Sequence, residues 1–493
     1  MRRIVNALGN LSMARRICAV FALCVVAAIS LPGQTFETLY RFSGADGKGP
    51  QGTLVQGTDG NFYGTTADGG ATSLGTLFKI TPAGALTTVH SFCVQGFYPC
   101  PDGAYPVGGV VQAANGDFYG ATQSGGLVDT NFGTVFQITP SGMLTTLFMF
   151  DGGDGILPSA PLVQAANGDL YGTTIGSGAN GKGGTVFRVA PAGTLTTLYN
   201  FCSQSGCADG EQPFAGLVQG ADSEFYGTTY QGGANNSGTV FRMTPAGRLT
   251  TLYSFCSQSG CTDGASPYAG LVEDTAGNFY GTTYQGGTNN SGTVFKITPD
   301  GRLTTLYSFC SQSGCADGAY PYAGLVYASD DNFYGATYQG GSNNEGTLFR
   351  IKPDRALSTL YSFCSHHGCL DGELPYGGLL QGTDGNFYGT ASGGGLGCGE
   401  PGGCGTVFRL SVGLRPFVKT QPHAGKVGAD ITILGTDLTG TTSVTFNGTP
   451  AAFSVTSASE ITTVVPVGAA TGLIQVATPS GTLWSGGPFL VVP

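Results

Sequence analysis

The sequence has little charge, a single tryptophan, and no long apolar run after its first 34 residues. Charged residues make up only 10% of the 493 residues, whereas aromatic residues make up 11%. This composition is too apolar for a disordered chain. No later segment is apolar for long enough to predict a membrane span. No helical periodicity follows the N-terminus, so a chain with 85 glycines is predicted to be a strand-rich globular protein.

Basic residues are the scarcer charged class, with 20 Lys and Arg against 30 Asp and Glu. Four arginines precede the apolar run 17–31, a pattern that predicts a signal peptide over residues 1–34. An uncleaved N-terminal anchor and a start at Met13 are alternatives. Without this segment, 16 basic residues remain against 30 acidic ones, a net charge of −14. We therefore expect a secreted, periplasmic or cell-surface bacterial protein, and we exclude nucleic acid as a partner because phosphate binding needs a basic face.

The cysteines that follow the leader fall into close pairs, which are Cys93/Cys100, Cys202/Cys207, Cys256/Cys261, Cys310/Cys315, Cys364/Cys369 and Cys398/Cys404. In an exported chain such pairs predict six local disulfides. We expect them to stiffen loops on the face of the molecule where binding sites collect. A zinc site is the alternative. Zinc ligands are usually spaced more tightly and helped by histidine, and only the loop between Cys364 and Cys369 contains histidines, His366 and His367.

A repeat runs through most of the chain. The tyrosine of an "FYG" or "LYG" triplet recurs at positions 63, 119, 171, 226, 280, 334 and 388, so seven units of about 54 residues follow one another. Each unit contains four short runs rich in aromatic and β-branched residues, joined by Asp-Gly, Asn-Gly and Pro-Gly turns. This period and this strand number predict a seven-bladed β-propeller with four strands per blade.

The phase of the repeat predicts how the ring closes. Residues 35–42 match the last strand of a unit, and residues 405–410 match the strand that precedes it. We therefore expect the N-terminal strand to complete the last blade, in a propeller over residues 35–412.

The stretches "GLVQGTDGNFYGTTADGG" and "GTLFKITPAGALTTVHSF" resemble the Gloeo-Verruco (GloVer) tandem repeat of exported bacterial proteins. The resemblance implies a location and a shape rather than an activity. Residues 414–493 contain alternating strands and an Asn447-Gly448 turn but no cysteine, and they resemble an IPT/TIG immunoglobulin-like domain, which implies a C-terminal β-sandwich. The predicted fold class is all-β.

A set of aromatic and amide residues in consecutive repeats is the predicted ligand-binding site. It comprises Phe214, Tyr268, Tyr322 and Tyr376 beside the innermost strands, together with Tyr230-Gln231, Tyr284-Gln285 and Tyr338-Gln339. Tyrosine faces with neighbouring amides suit uncharged sugars. The first three repeats have Gln51, Val107 and Ser159 in place of the first aromatic. The alternative interpretation is that recent duplication copied packing residues.

An Asp-Gly-x-x-Pro motif recurs in every repeat, at Asp46, Asp102, Asp154, Asp209, Asp263, Asp317 and Asp371. Its recurrence predicts a structural turn. A ring of calcium sites is the bolder alternative, although each loop lacks the additional oxygen ligands that calcium needs.

Catalysis has little support, and no catalytic residue, metal or cofactor is predicted. The four histidines are scattered over different units without partners at a motif spacing. The main hypothesis is an exported, non-enzymatic recognition or adhesion protein that binds a glycan or cell-envelope ligand. One alternative is a polysaccharide lyase or hydrolase that uses Glu211, Glu373 or His366, and the other is a purely structural envelope protein. The oligomeric state is left open.

Overall fold

The computed structural model describes residues 33–94, 100–126, 131–165, 167–395, 398 and 402–492. The predicted signal peptide lies outside these ranges, apart from its last two positions. Within them the regular structure is β-strand, with three single 3-10 turns at Ser205–Cys207, Ser259–Cys261 and Ser313–Cys315. No helix in the described part of the chain is long and apolar enough to cross a bilayer.

Seven four-stranded antiparallel sheets follow the opening strand β1 (Thr35–Arg41). Blade 1 consists of β2 (Val55–Gln56), β3 (Phe62–Thr66), β4 (Thr76–Ile80) and β5 (Leu86–Ser91). Blade 2 consists of β6 (Val110–Gln112), β7 (Phe118–Thr122), β8 (Thr134–Ile138) and β9 (Leu144–Met149). Blade 3 consists of β10 (Val163–Gln164), β11 (Leu170–Thr174), β12 (Thr185–Val189) and β13 (Leu195–Asn200). Blade 4 consists of β14 (Val218–Gln219), β15 (Phe225–Thr229), β16 (Thr239–Met243) and β17 (Leu249–Ser254).

The last three blades have the same plan. Blade 5 consists of β18 (Val272–Glu273), β19 (Phe279–Thr283), β20 (Thr293–Ile297) and β21 (Leu303–Ser308). Blade 6 consists of β22 (Val326–Tyr327), β23 (Phe333–Thr337), β24 (Thr347–Ile351) and β25 (Leu357–Ser362). Blade 7 takes β26 (Leu380–Gln381), β27 (Phe387–Ala391) and β28 (Thr406–Ser411) from the end of the repeat array.

The N-terminal strand completes blade 7. Strand β1 pairs antiparallel with β28, from Thr35 opposite Ser411 to Arg41 opposite Thr406, and the strand order is β1-β28-β27-β26. The ring is therefore sealed by main-chain hydrogen bonds between its two ends, which removes an exposed sheet edge. The predicted seven-bladed propeller, including this closure, is confirmed.

The "FYG" triplet holds neighbouring blades together. Adjacent residues of a strand point to opposite faces, so the Phe of each second strand faces one neighbouring blade and the Tyr faces the other. At six of the seven interfaces the Tyr ring lies against the Phe ring of the next blade, with centroids 3.9–4.2 Å apart. At the remaining interface Leu170 takes the place of the Phe, and it packs in the same cluster as Tyr119.

The glycine of the triplet is required by close packing within the blade. A Cβ atom on Gly281 would lie 2.7 Å from the Phe295 ring and 2.8 Å from a methyl group of Leu271. In five blades the hydroxyl of the Tyr before this glycine donates to an Asp of the preceding tight turn, as in the 3.0 Å hydrogen bond from Tyr280 to Asp274. In blade 2 the Tyr119 hydroxyl instead accepts from Asn115 Nδ2. Burial and the hydrogen bond to Asp274 raise the pKa of the Tyr280 hydroxyl, which keeps the hydroxyl protonated as a donor.

The C-terminal domain is an immunoglobulin-like sandwich of two four-stranded sheets with orders β29-β31-β35-β34 and β33-β32-β36-β37, plus a pair β30-β38. Its strands are β29 (Lys419–Gln421), β30 (Ala424–Gly425), β31 (Asp430–Leu434), β32 (Ser443–Phe446), β33 (Thr449–Pro450), β34 (Phe453–Val455), β35 (Glu460–Val464), β36 (Ile474–Thr478), β37 (Gly481–Trp484) and β38 (Leu490–Val491). A core of its own, which includes Ile433 and Val476, lies between the sheets.

This domain packs against the propeller face that carries the tight turns between first and second strands. Ser459 Oγ donates a hydrogen bond to the Thr58 carbonyl at 2.9 Å, and the Phe417 amide donates to the Thr383 carbonyl at 2.9 Å. The long loops, which connect second to third strands and each blade to the next, lie on the opposite face. We call that opposite face the loop face.

Candidate functional site

The seven inner strands surround a central channel. Each blade places one residue at the loop-face end of this channel. This residue lies three positions before the first Leu or Val of the apolar segment that forms the inner strand. We call these the mouth residues, and from blade 1 to blade 7 they are Gln51, Val107, Ser159, Phe214, Tyr268, Tyr322 and Tyr376. They and the short segments that follow them line a channel cavity of about 270 Å³.

Glycines in these segments let the inner strands approach one another closely. A Cβ atom on Gly52 would lie 2.6 Å from the amide nitrogen of Gly109, and one on Gly216 would lie 2.8 Å from the Pro161 carbonyl oxygen. The wall of the channel is therefore mainly backbone, and the channel is narrow.

The mouth residues of blades 4 to 7 form an aromatic arc. Phe214 stacks on Tyr268 with ring centroids 4.6 Å apart, and Tyr322 stacks on Tyr376 at 4.9 Å. Tyr268 meets Tyr322 edge-on at 4.8 Å, and the Tyr376 hydroxyl donates a hydrogen bond to the Tyr268 hydroxyl. Burial is the main cause of the raised pKa of Tyr268 and of Tyr376. Both hydroxyls therefore remain protonated at physiological pH.

The second predicted tyrosine set lies outside this arc and packs against it. Tyr230 contacts Phe214 edge-on with centroids 5.4 Å apart, while Tyr284 and Tyr338 lie 4.6 and 4.9 Å from Tyr322. The aromatic side chains of blades 4 to 6 thus pack mostly on one another.

The first three blades form a polar arc, and a cavity opens over it. This mouth cavity has a volume of about 260 Å³, and its lining residues are Gln51, Ala67, Asp68, Tyr105, Val107, Gln123, Ser159, Phe214, Tyr268 and Tyr376. Gln123 Nε2 donates a hydrogen bond to Ser159 Oγ at 3.0 Å, and this hydroxyl donates to the Leu157 carbonyl at 3.1 Å. The cavity therefore has the rings of Phe214, Tyr268 and Tyr376 on one side. The other side combines amide, hydroxyl and carboxyl groups with the side chains of Ala67, Tyr105 and Val107.

The cavity exists because the three small or polar mouth residues do not fill the space that tyrosines fill in the other blades. Phe214, Tyr268 and Tyr376 from the predicted site line it. Tyr322 lines the channel cavity below it. The other predicted tyrosines are not among the lining residues of the mouth cavity.

The predicted amides occupy other places on the loop face. Gln231, Gln285 and Gln339 form isolated bridges with residues 211, 265 and 319, one position beyond the second tyrosine set. The asparagines that follow them hold the loops, since Asn236 Oδ1 accepts from the Gly232 amide at 3.2 Å and Asn235 Nδ2 donates to the Phe255 carbonyl at 3.1 Å.

Five of the six cysteine pairs directly precede the aspartate of the Asp-Gly-x-x-Pro motif, and the sixth, Cys398/Cys404, lies between β27 and β28. The six cysteine pairs named above form disulfides. Within one of these cysteine loops the fully buried Asp317 accepts hydrogen bonds from the Tyr307 hydroxyl at 2.8 Å, from the amide and hydroxyl of Ser311 at 2.9 Å, and from the Gln312 amide at 3.1 Å. Burial acts to raise the pKa of Asp317, but these hydrogen bonds outweigh it and the pKa lies below its ordinary value. Four donors on one carboxylate support the structural interpretation of the motif.

Four of the paired cysteines, Cys93, Cys100, Cys207 and Cys404, are buried. Cys100 is 4% exposed, and its carbonyl oxygen accepts hydrogen bonds from the Gly103 amide at 3.0 Å and the Gly126 amide at 2.9 Å. Cys404 is 0% exposed and packs in the hydrophobic cluster between blades 7 and 1, where Phe42 also lies. Their disulfides form as predicted, and their burial agrees with a scaffold role.

Glu211 and Glu373 of the enzymatic alternative lie on separate blades, and His366 lies in the same loop as Glu373. Glu211 lies beside the Cys202–Cys207 disulfide at blade 4, and Glu373 lies beside the Cys364–Cys369 disulfide at blade 7, each carboxylate within 4.8 Å of the sulfurs. Burial, followed by the charge of Glu345, raises the pKa of Glu373. His366 Nδ1 lies 3.2 Å from Ser365 Oγ and 3.6 Å from Asp371.

Sequence reasoning missed Asp68, Tyr105 and Gln123. Aligning the repeats would have identified two of them, because Asp68 occupies the position of Gln231 in blade 4 and Gln123 occupies the position of Tyr230. A larger groove of about 730 Å³ lies between the C-terminal domain and the Ala114–Asn115 turn of blade 2, but Phe453 is its only aromatic ring among the described residues.

Comparisons with known proteins agree with this architecture. A family model described as the Gloeobacter/Verrucomicrobia repeat matches residues 22–167, 94–262, 155–326 and 311–437. A model of the IPT/TIG domain matches residues 418–490. A search among curated proteins found no match to this chain.

Several solved structures have a similar fold. The extracellular domain of a hybrid two-component system from B. thetaiotaomicron is 12% identical with a TM-score of 0.50, over 90% of this chain and 52% of that one. A fungal alcohol oxidase of the AA5 family, solved with copper, is 14% identical with a TM-score of 0.48, over 94% of this chain and 99% of that one. PorZ, a surface component of the type-IX secretion system of Porphyromonas gingivalis, is 12% identical with a TM-score of 0.46, over 90% and 59%. At 12% identity and a TM-score of 0.50, the B. thetaiotaomicron domain shows a likeness of fold alone.

Proposed function

Because this chain belongs to the Gloeobacter/Verrucomicrobia repeat family and carries a C-terminal IPT/TIG domain, we propose that it is an exported, non-enzymatic recognition or adhesion protein whose channel mouth binds a glycan of the cell envelope. The observation that carries this proposal is the mouth cavity. Its aromatic side can stack on the apolar face of a sugar ring, and its amide and hydroxyl groups can bond to sugar hydroxyls.

Export is supported by the chemistry of the chain. Six disulfides in one chain suit an oxidising compartment outside the cytoplasm. The arginine-rich apolar leader and the acidic remainder of the sequence agree with secretion.

The dimensions of the cavity favour a short ligand segment. A sphere of about 260 Å³ is about 8 Å across, which is room for one sugar unit rather than for a polymer passing through. The channel below is narrow, and the C-terminal domain packs against the opposite face. The ligand therefore enters from the loop face, with a chain end or a branch seated in the mouth.

The test uses residues 35–493 on a glycan array, followed by calorimetric titration of the glycans that bind. Ser159→Tyr fills the cavity with the residue that blades 5 to 7 carry at this position, and we expect at least a tenfold loss of affinity with an unchanged melting temperature. Tyr105→Ala removes a wall of the cavity and should also weaken binding.

The matched control is Tyr320→Ala. Tyr320 occupies the position of Tyr105 in blade 6, with the same positive φ of 56° before a proline, but it packs on Tyr284 instead of lining the mouth cavity. It should bind within about twofold of the wild type. Absence of any bound glycan, or equal binding by Ser159→Tyr and the wild type, would overturn the proposal. Turnover of a bound polysaccharide that is lost in Glu373→Gln would favour the enzymatic alternative instead.

A further inference from the structure

The mouth cavity contains one acid. Asp68 is its only ionisable carboxyl group, and no Lys, Arg or His is among its described lining residues. The other polar groups of the lining are neutral amides and hydroxyls. A half-buried carboxylate in such surroundings gives the cavity a local negative charge.

The backbone of Asp68, and not its carboxylate, makes its hydrogen bonds within the described part of the chain. Its amide donates to the Lys48 carbonyl at 2.9 Å, and its carbonyl accepts from the Lys48 amide at 2.8 Å and from Thr66 Oγ1 at 2.9 Å. Burial raises the pKa of the Asp68 carboxyl, and the charge of Lys48 lowers it in part. The carboxylate oxygens thus keep acceptor capacity for a ligand.

The repeat itself does not need this acid. The residues at the position of Asp68 in blades 2 to 7 are Ser124, Gly176, Gln231, Gln285, Gln339 and Gly393, and all of them make the same backbone bridge. The bridge is therefore independent of the side chain. The carboxylate occurs only in blade 1, which is one of the three blades over which the mouth cavity opens.

The side of the cavity formed by Phe214, Tyr268 and Tyr376 presents aromatic rings. A ring face attracts a cation within about 6 Å of its centroid, and a carboxylate binds an ammonium group through short charge-assisted hydrogen bonds. Both groups line the same cavity of about 260 Å³, so a small cation seated in it lies near both.

We infer that the mouth cavity binds a saccharide unit that carries a positively charged amino group, with the ammonium held by Asp68 beside the aromatic rings. This inference rests on the proposed glycan-binding function and specifies its ligand class. Gln51, Gln123 and Ser159 then face the hydroxyl groups of the same sugar unit. A net charge of −14 on the exported chain adds a long-range attraction for such a ligand.

The test compares glucosamine, N-acetylglucosamine and glucose by calorimetry or by chemical-shift titration on residues 35–493. The three sugars share one ring, and only the first has a free ammonium group. A hydrogen bond to a charged group contributes roughly 1.5–3 kcal/mol, so we expect glucosamine to bind about 10- to 100-fold more tightly than the other two.

Asp68→Gln introduces the residue that blades 4 to 6 carry and should abolish the preference for glucosamine. Glu211→Gln is the matched control, because it removes one negative charge from the same face outside the cavity, and it should keep the preference. Equal binding of the three sugars, or a preference that survives Asp68→Gln, overturns this inference while the proposed glycan-binding function stands. Binding of none of the three also overturns it, and an empty glycan array overturns the proposed function with it.

Discussion

Replacing Asp263 with Asn should destabilise the loop between blades 4 and 5 by about 2.5–6 kcal/mol. Asp263 is 0% exposed. Its Oδ2 accepts hydrogen bonds from the Tyr253 hydroxyl at 2.8 Å and from the amide and hydroxyl of Ser257 at 2.9 and 3.0 Å, while Oδ1 accepts from the Gln258 amide at 3.2 Å. An Asn side chain has one acceptor oxygen, and its NH₂ group would face a donor.

The magnitude follows from these contacts. In the better orientation the Asn oxygen keeps the three donors on Oδ2, but each bond loses its charge assistance, at roughly 0.5–1 kcal/mol each. The Gln258 amide loses its acceptor, and an unsatisfied buried donor costs about 1–3 kcal/mol. The nearby Cys256–Cys261 disulfide remains intact, so the effect should be concentrated in the loop.

Two measurements check this. Hydrogen exchange of the Ser257 and Gln258 amides should become at least a hundredfold faster, and calorimetry should show a lower melting temperature. Asp300→Asn, the same substitution in an exposed turn between β20 and β21, is the control and should leave both unchanged. Unchanged hydrogen-exchange rates at the Ser257 and Gln258 amides would refute the stability estimate made from the Asp263 hydrogen bonds.

The same loops should make stability depend on acid pH. The pKa values of Asp317 and Asp371, the equivalents of Asp263 in the next two loops, lie below their ordinary value of 3.8. A carboxyl group with a lowered folded-state pKa contributes stability that is present above the unfolded pKa and is lost as the pH falls through the folded one. The melting temperature should therefore fall steeply below about pH 4, and less steeply when Asp317 is replaced by Asn.

Three further predictions concern the blades and the domain contact. Gly281→Ala forces a Cβ atom to within 2.7 Å of the Phe295 ring and should cost about 1–3 kcal/mol in thermal unfolding, whereas Gly487→Ala, with open space around it, should not. Phe36→Ala removes a ring of β1 that stacks on the Tyr361 ring with centroids 3.7 Å apart. For a half-buried Phe we expect the free energy of unfolding to fall by about 2 kcal/mol. An unchanged melting temperature would contradict closure of the ring by β1. Burial lowers the pKa of Lys419, at the contact between the two domains, from 10.5 to about 8. Between these two pH values the unfolded chain binds one more proton than the folded chain, so the free energy of unfolding rises with pH. In Lys419→Met the melting temperature should therefore change less between pH 7.5 and 9.5 than in the wild type.

The repeat was sufficient to predict the architecture. The spacing of the FYG tyrosines, the four short strands per unit and the phase of residues 35–42 led to a seven-bladed ring closed by its N-terminal strand, and this is the ring observed. Such patterns are readable because local period and turn chemistry depend on neighbours in the chain.

The candidate site could be predicted only in part. Phe214, Tyr268 and Tyr376 were identified from their recurrence, but recurrence drew attention to the residues that resemble one another. The cavity instead depends on exceptions, since Gln51, Val107 and Ser159 leave the space open and Asp68 stands alone in blade 1. Whether a ring packs on its neighbours or borders a cavity depends on residues from other blades, about 50 to 325 positions away in the chain.

The sequence also could not predict which cysteines are buried. Spacing identified the partners of Cys100 and Cys404, because each partner lies a few residues away in the chain. Spacing could not show that both of these cysteines are buried, since the cluster that encloses Cys404 combines residues from the two ends of the repeat array.

The sequence by itself determined the strands, the number of blades, the cysteine pairing and the closure of the ring, because each of these follows from local spacing or from the register of the repeat. The tertiary structure alone decided which loop-face side chains meet across the channel, and where the C-terminal domain packs. Those features arise when residues of seven different blades are brought to one axis, where the size of a side chain in one blade sets the space left for a side chain in another.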